Sequence, residues 1–546
     1  MLTRPIPEIA RFLYRQFRGH RQQAVLNTLI GIALVALDLA FVWATKLAID
    51  TATGHSTTIS LGHTFALLIA IMAGRILLGV ASRWVRAMLG VKAQNSLRQI
   101  AFEHLLNSQW GELRKFHTGN LTNRLERDVN DVVNFTTENV PAFVTTALQF
   151  VGAFIFLFLM DRTLATIIVL ILPFFILSTR LYVRPMRRIS HEVRNYDSLI
   201  QSNLQETLQH ALVVKTMQRT TYFIGKLADL QATLHRSVIS RTRYSSFSSA
   251  LMSTGFTTGY LVTFIWGATG LAHGSITYGA LVAFIQLVGQ IQNPVRSLSK
   301  FVPIFIGAFT AAERLMDIEQ IPLEPQSPPI KLKGPLGITI ENLTFAYTEQ
   351  SRKIFHDFNA TIPPGSVTAI VGETGTGKTT LIRLLLALHT PQKGSIHLTD
   401  DAGCSHVSCP CLRSNFTYVP QGNSLFSGTI RSNLLQAAPD ADDARLCEAL
   451  HTAAADFVFK KPLGLDTPCG EEGDGLSEGQ AQRIAIARAL LTEGNILIFD
   501  EATSALDADT EELILHNLVV GYKSRTMIFI THRPAVLRYA DITLHI

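Results

Sequence analysis

The chain has 546 residues, of which 47% are hydrophobic and only 16% are charged. Soluble proteins carry about 25% charged residues, so this deficit indicates that a large part of the chain lies in a membrane. The net charge of +6 is modest and does not indicate nucleic-acid binding. All five cysteines follow residue 400, so no disulfide framework is predicted, and a reducing compartment is indicated for that half of the chain.

The first ~315 residues carry six apolar stretches, each long enough for the roughly 20 residues that a membrane helix requires. Their approximate limits are 24–49, 62–82, 139–160, 163–183, 248–271 and 277–297. The short segments that join spans one to two, three to four and five to six contain a single basic residue, Arg162. The N-terminal tail and the long segments after spans two and four are rich in arginine, so both termini are predicted to be cytoplasmic.

The long segments after spans two and four keep a helical apolar period with few Gly or Pro. We expect both spans to continue as helices beyond the membrane and to turn near Gly111 to Gly119 and near Gln209 to Tyr222. They would then return as spans three and five. Such turns suit contact with a cytoplasmic domain, and solvent-exposed hairpins are the alternative.

Among the ionisable residues inside the predicted spans are Asp38 and Lys46 in the first, and Arg75 in the second. Ionisable groups at membrane depth are candidates for function. One hypothesis is that Asp38 lines a translocation cavity. Pairing between helices, or reaching the interface from the end of a span, is the alternative for Asp38 and still more for Lys46.

The α-helical transmembrane domain, residues 1–315, is expected to lead through a Pro-rich linker, 316–336, into an α/β nucleotide-binding domain, 337–546. An apolar strand, Val367–Val371, precedes the sequence G-E-T-G-T-G-K-T, and a helical run follows from Leu381 to Leu388. A glycine-rich loop between a strand and a helix N-terminus cradles a polyphosphate with its backbone N–H groups. The residues expected to bind the nucleotide here are Gly372, Thr374, Gly375, Thr376, Gly377, Lys378, Thr379 and Thr380.

Two acids end a second apolar strand, Asn495–Glu501, which reads N-I-L-I-F-D-E. Asp500 is expected to hold Mg²⁺ together with Thr379, and Glu501 is expected to polarise the attacking water. Gln421 follows Y-V-P, and His532 lies in I-T-H-R. Both are suited to the metal–water shell and to the γ-phosphate, so phosphoryl transfer from ATP is the predicted chemistry.

The segment Leu476–Gln480 reads L-S-E-G-Q, and with it the whole chain resembles the ATP-binding cassette transporters. In that family this pentapeptide, usually with Gly in the third place, caps ATP held by the phosphate loop of the opposite nucleotide-binding domain. The resemblance implies that Ser477, Gly479 and Gln480 bind ATP in this way. Glu478 departs from the commoner glycine.

The same resemblance assigns roles to residues elsewhere in the domain. It implies that Tyr347 stacks on adenine and that Gln421 couples the ATP site to the membrane part. The segment Ser504–Asp507 would signal between two ATP sites, with Asp507 near the nucleotide, and His532 would act as the γ-phosphate switch.

The order of six spans before one nucleotide-binding domain resembles the exporter branch of the family. Leu425–Leu434 and Gly470–Gly473 resemble the exporter segments that touch the intracellular turns, and Gly119–Val129 and Val213–Lys215 resemble the turns themselves, more loosely. The resemblance implies a dimer with ATP and Mg²⁺, formed either with a second copy or with a related half-transporter. It implies a bacterial plasma (inner) membrane location, contact with membrane lipid and no nucleic-acid partner.

The expected function is therefore export of a lipid, a peptide or a hydrophobic small molecule, driven by ATP hydrolysis and alternating access. A non-transporting, ATP-gated membrane regulator on the same scaffold is the alternative. Cys404, His406, Cys409 and Cys411 form a further cluster that could bind Zn²⁺ or sense redox state. A variable surface loop is the alternative for this cluster.

Overall fold

The structure of the protein is a computed structural model. It describes residues 4–16, 19, 21–55, 60–116, 118–348, 352–373, 375–470 and 475–546, and their side chains except those of residues 118, 172–184, 187 and 299. Internal contacts divide the chain into two units. The first comprises Met1–Phe102 and Leu121–Asp317, and the second comprises Glu103–Asn120 and Ile318–Ile546.

The regular structure described up to residue 319 is helical. Its elements are α1 (Ile6–Gln16), α2 (Arg21–Ala52), α3 (Leu61–Leu106), α4 (Trp110–Leu113), α5 (Thr118–Asn123), a π-helical turn (Arg124–Asp128), α6 (Val129–Asn134), a second π-helical turn (Phe135–Asn139), α7 (Val140–Met160), α8 (Arg162–Gln209), α9 (Ala211–Thr216), α10 (Thr220–Ala272) and α11 (Tyr278–Glu319).

Several of these helices are much longer than a bilayer is thick. α3, α8 and α10 contain 46, 48 and 53 residues. At ~1.5 Å per residue each exceeds twice the ~30 Å hydrocarbon core. α3 ends at Leu106 and the chain turns through α4, while α8 ends at Gln209 and the chain turns through α9. The predicted long helices and both predicted turns are therefore confirmed.

Three helical stretches of the described residues are long and apolar enough to cross a membrane: Arg21–Ala52, Leu61–Leu106 and Gly119–Met160. They contain predicted spans one to three. Span four begins in the shorter apolar stretch Arg162–Ile171 and continues through residues 172–183, whose side chains lie outside the description. Spans five and six fall within α10 and α11, where Ser, Thr, Gly and Gln residues dilute the apolar character, and they stay predictions.

Asp38, Lys46 and Arg75 each have an ion-pair partner. Arg75 Nη2 lies 2.7 Å from Asp38 Oδ1, and Lys46 Nζ lies 3.1 Å from Asp50 Oδ2. The other Asp50 oxygen accepts a 3.0 Å hydrogen bond from the backbone N–H of Gly279 at the start of α11. Asp38 also lines a cavity of about 200 Å³. The pairing alternative for Asp38 is therefore confirmed, whereas its role in a translocation cavity stays a prediction.

The second unit contains eleven strands in its described residues: β1 (Gly337–Phe345), β2 (Phe355–Ile362), β3 (Val367–Val371), β4 (Lys393–Thr399), β5 (Ser405–Val407), β6 (Phe416–Val419), β7 (Gly428–Thr429), β8 (Pro468–Cys469), β9 (Ile496–Asp500), β10 (Thr526–Ile530) and β11 (Ile542–His545). Its further helices are α12 (Lys378–Leu385), α13 (Ile430–Leu435), α14 (Asp443–Thr452), α15 (Glu478–Leu490), α16 (Ala508–Gly521) and α17 (Pro534–Tyr539).

A parallel sheet with strand order β11-β3-β10-β9-β6 forms the centre of this unit. β9 and β10 are buried along their whole length, as expected for continuous apolar strands covered on both faces. An antiparallel sheet with order β2-β1-β4-β5 packs its apolar residues into a core shared with α12. The predicted fold class, a helical transmembrane domain followed by an α/β nucleotide-binding domain, is confirmed.

Some local details differ from expectation. α12 begins at Lys378, three residues before the predicted helical run. Gly377 is the last glycine of the loop, so the helix can start directly after it. α11 continues to Glu319, so the irregular linker is shorter than predicted. Cys409 and Cys411 form a disulfide, which was not predicted. Cys404 is free and exposed, and no group of three metal-binding side chains is found among the described residues.

Candidate functional site

The polar residues predicted for catalysis lie at one edge of the parallel sheet. The phosphate loop follows β3, His532 follows β10, Glu501 follows β9, and Gln421 follows β6. Because parallel strands present their carboxyl ends at one edge, the strand order β3-β10-β9-β6 arranges these residues in a row.

Short contacts connect the members of this row. Lys378 Nζ lies 2.8 Å from His532 Nε2, and His532 Nε2 lies 4.0 Å from Glu501 Oε1. The amide nitrogen of Gln421 donates a 2.7 Å hydrogen bond to the other oxygen of Glu501. A lysine, an imidazole, a carboxylate and an amide therefore converge in the order that the sheet dictates. This is a set suited to a phosphate group and an attacking water.

The phosphate loop has the backbone that a cradle for phosphate needs. Gly375 and Gly377 have φ angles of +90° and +116°, which L-amino acids with side chains rarely adopt. A Cβ atom on Gly377 would lie 2.5 Å from Ile354. No side chain caps the first turn of α12 in the described residues, so its N–H groups face the loop, as in anion-binding helix N-termini. Thr374 lies outside the described residues.

Asp500 is buried and receives a 3.1 Å hydrogen bond from the hydroxyl of Tyr418. Burial raises the pKa of Asp500, whereas the Tyr418 hydrogen bond lowers it. The oxygen donors of Asp500, Thr379 and Gln421 are the hard ligands that Mg²⁺ prefers, so the residues fit this ion. In the Gln421 side chain the nitrogen faces Glu501, and the amide oxygen is the end that a cation would meet.

Tyr347 lies beside α12 with almost half of its surface exposed. Its hydroxyl accepts a 2.8 Å hydrogen bond from Arg383 and lies 3.0 Å from the hydroxyl of Thr380. The phenol is thus anchored to the helix that starts at Lys378, and part of its ring stays open. The predicted stacking role of Tyr347 is compatible with this position, and the Thr380 hydroxyl is already engaged.

Ser477, Gly479 and Gln480 form a second group at the N-terminus of α15. Ser477 Oγ accepts from the backbone N–H of Gln480, and the Gln480 side chain accepts from the backbone N–H of Ser477, which is a capping box. A Cβ atom on Gly479 would lie 2.8 Å from the carbonyl oxygen of Ala505. The glycine therefore permits close packing between this segment and the loop that follows Glu501.

That loop is held by side chains that the sequence analysis did not single out. Arg533 donates to the carbonyl oxygens of Ser504 and Leu506 at 2.6 and 2.9 Å. Gln482 accepts from the backbone N–H of Ala505. Asp507 caps α16, and the backbone N–H of Thr510 lowers its pKa. The sequence contains two signals for these residues. Gln482 lies five residues after Ser477, and Arg533 lies next to His532.

Two protein families match successive parts of the chain. The family described as "ABC transporter transmembrane region" matches residues 25–295, and the family described as "ABC transporter" matches residues 355–504. The first match overlaps all six predicted spans.

Similar proteins are found over nearly the whole chain. An ATP-dependent lipid A-core flippase of Bordetella avium is 30% identical over 543 residues, which cover 98% of this chain and 91% of that protein. The ABC multidrug transporter mdr2 of Aspergillus fumigatus is 31% identical over 499 residues, covering 88% of this chain and 62% of that protein. A solved structure, a bacterial Atm1-family ABC exporter with ATP bound, superposes with a TM-score of 0.78 at 25% identity, covering 96% of this chain and 93% of the other.

Proposed function

The chain belongs to the ABC transporters, as an ATPase coupled to export by alternating access, and from this premise we propose that it works as a homodimer in which each ATP site uses both copies. It is an integral membrane protein. We place it in a bacterial plasma membrane with both termini cytoplasmic, and we take its domains as 1–315, the linker 316–336, and 337–546.

The observation that carries the proposal is the row of Lys378, His532, Glu501 and Gln421 at the sheet edge. In the proposed reaction, Lys378 and the N-terminus of α12 bind the phosphates, with Thr379, Asp500 and Gln421 as the residues that would hold Mg²⁺. The ion would neutralise phosphate charge when bound. Glu501 accepts a proton from the attacking water, and His532 binds the γ-phosphate.

Glu501 is well suited to fixing a water molecule. Its φ angle of +48° is unusual for a residue with a side chain, and its backbone N–H donates to the carbonyl oxygen of Ile530. The backbone of β9 and β10 thus sets the direction of the carboxylate. The amide of Gln421 fixes one carboxylate oxygen, which leaves the other beside His532.

The proposed composite site explains why Ser477 and Gly479 do not belong to the row. Within the chain their segment packs against the loop that contains Ala505. We propose that the N-terminus of α15 contributes to the ATP bound by the phosphate loop of the second copy. Closure of the two copies around ATP, and opening after hydrolysis, would then drive the change of access.

Two alternatives differ in their partner or activity. A related half-transporter in place of the second copy would supply the same complementary segment. A non-transporting regulator would not require a water-activating carboxylate, and the placement of Glu501 in the row favours hydrolysis instead. The cargo class remains a lipid, a peptide or a hydrophobic small molecule.

A mixed dimer tests the composite site directly. Lys378→Ala and Ser477→Ala chains carry different purification tags, are produced together, and the doubly tagged dimers are reconstituted in lipid. Each single variant alone has two defective sites. In the mixed dimer, one composite site combines the intact Lys378 of one copy with the intact Ser477 of the other, so ATPase activity returns.

A matched pair controls for simple mixing effects. Lys378 and Glu501 lie in the same row of one chain, so mixing Lys378→Ala with Glu501→Gln leaves no intact site and no activity. Recovery in this control as well, or absence of recovery in the first mixture, would contradict sites shared between two copies.

A further inference from the structure

His389 lies between the proposed adenine platform and the first intracellular turn. It follows α12 by four residues, and its ring packs edge-on against Tyr347 with 5.3 Å between ring centroids. It also lies 5.5 Å from the ring centroid of Phe345. The Tyr347 ring is therefore in aromatic contact with an imidazole.

The His389 ring also meets α4. A Cβ atom added to Gly111 would lie 3.0 Å from both Cε1 and Nδ1 of His389, so the glycine backbone and the imidazole are in direct contact. Residues Glu103–Asn120, which include α4, belong to the same compact unit as His389. By chain continuity this segment connects α3 to α5, and thus to two of the predicted spans.

The segment around α4 is fastened to the same region by the linker. The backbone N–H of Gln109 donates to the carbonyl of Pro322, and that of Glu324 donates to the carbonyl of Asn107. Glu324 in turn forms a two-pronged ion pair with Arg413 at 2.9 and 3.0 Å.

Arg413 closes this arrangement around the histidine. It also donates to the carbonyl oxygens of Leu386 and Ala387, which lie just before His389. The turn, the linker and the chain around His389 are consequently one connected set. A displacement of the histidine ring would displace α4 directly, because the two are in contact.

The surroundings of the His389 ring favour its uncharged form. Its Nε2 atom is buried and has no hydrogen-bond partner among the described residues. Burial lowers the pKa of His389, and the nearby charges of Arg383 and Arg114 lower it further. The contacts with Tyr347 and Gly111 therefore depend on the shape of the ring.

A cavity gives α4 room to respond. It has a volume of about 500 Å³ and is lined by Gln109, Gly111, Glu112, His389 and Thr390, among others. A closely packed segment has little room to move, whereas a segment bordered by a cavity can take two positions.

We propose that His389 is a positioning residue that transmits adenine occupancy at Tyr347 to α4, and so to the membrane helices that α4 connects. This inference rests on the proposed adenine platform. Adenine stacking on the open face of Tyr347 fixes the phenol, the phenol fixes the imidazole edge, and the imidazole holds Gly111. Binding of the adenine base would thereby change the position of α4 independently of the phosphates.

Trp110, the first residue of α4, is a built-in reporter for this movement. The chain has four tryptophans, so replacing Trp43, Trp84 and Trp266 by Phe leaves Trp110 alone. This full-length protein in lipid nanodiscs is titrated with ATP in EDTA, which prevents hydrolysis, and with inorganic tripolyphosphate. ATP binding is measured in parallel by equilibrium dialysis.

The proposal expects ATP, but not tripolyphosphate, to change Trp110 emission with the midpoint of ATP binding. His389→Ala and His389→Leu, which both lack the aromatic ring, should reduce the emission change at least five-fold while ATP affinity stays within about three-fold. His389→Phe should keep it, because the ring shape is retained. His397→Ala, a histidine of β4, serves as the matched control and should behave as the parent protein.

Two results would overturn the inference: an undiminished ATP response in both ring-lacking variants, or an equal response of the parent protein to tripolyphosphate. A parent protein that binds ATP without any change at Trp110 would also overturn it. Absence of ATP binding in the parent protein is a different result, because it contradicts the proposed nucleotide site itself.

Discussion

Removing the hydroxyl of Tyr418 should weaken the response of the ATPase to Mg²⁺. Tyr418 donates a 3.1 Å hydrogen bond to Asp500, the buried carboxylate proposed to hold the ion. Hydrogen bonds to charged groups contribute about 1.5–3 kcal/mol, and the length of this one favours the lower end. About 1.5 kcal/mol corresponds to roughly a tenfold change in an equilibrium constant. Tyr418→Phe should therefore raise the half-saturating Mg²⁺ concentration about tenfold.

The pH dependence gives the same substitution a second signature. Burial raises the pKa of Asp500, and the hydrogen bond from Tyr418 opposes that effect because it stabilises the charged form. Without the hydroxyl, the pKa of Asp500 rises further, and a larger share of the carboxyl is protonated as the pH falls. The acidic limb of the Mg²⁺-dependent activity should consequently move to higher pH in Tyr418→Phe.

The assay is ATP turnover in lipid against free Mg²⁺ at saturating ATP, repeated across pH. Tyr539→Phe is the matched control. Tyr539, in α17, also donates a hydrogen bond to a carboxylate, that of Glu512, at 3.0 Å, but this carboxylate is not one of the proposed Mg²⁺ ligands. Equal Mg²⁺ dependence in Tyr418→Phe and the parent protein would refute the reasoning. So would the same loss in Tyr539→Phe.

Three further perturbations have defined outcomes. Ser477→Ala removes the cap of α15 and should lower the free energy of unfolding of the nucleotide-binding unit by about 1 kcal/mol, measured by thermal denaturation; an unchanged midpoint would contradict the capping role. His389→Phe should gain stability relative to the parent protein as the pH falls through about 6.5, because the folded pKa of His389 is lowered and the unfolded chain takes up the proton first; a pH-independent difference would contradict the buried neutral imidazole. Asp38→Asn leaves Arg75 without its carboxylate partner, so the melting temperature in lipid should fall and should recover in part when Arg75→Gln is added; additive losses would show that the pair does not interact.

The sequence predicted the site where local spacing decides the structure. The loop from Gly372 to Thr379 and the strand Ile496–Asp500 carry their own signals, since glycine placement and an apolar run determine these conformations. The strand order that brings His532 between Lys378 and Glu501 could not be read locally, because it depends on pairing between distant strands.

Contacts between side chains of different elements likewise could not be predicted from the sequence pattern. Asp38 and Arg75 were both recognised as unusual, but their pairing depends on how α2 and α3 pack. The link between Cys409 and Cys411 depends on the backbone around Pro410, which a spacing rule for zinc ligands does not describe. Tyr418 and Arg533 lie beside recognised motifs, and only their contacts reveal what they hold.

The central claim is that this chain, paired with itself, hydrolyses ATP by means of Glu501. The most direct test is Mg²⁺-dependent ATP turnover of the purified chain alone in lipid, with Glu501→Gln beside it and Glu512→Gln, a carboxylate in α16 that pairs with Arg538, as the control. We predict turnover in the parent protein and in Glu512→Gln, and a loss of at least about 100-fold in Glu501→Gln. Equal turnover in Glu501→Gln and the parent protein would contradict the catalytic assignment, and absence of turnover in the parent protein would contradict the homodimer.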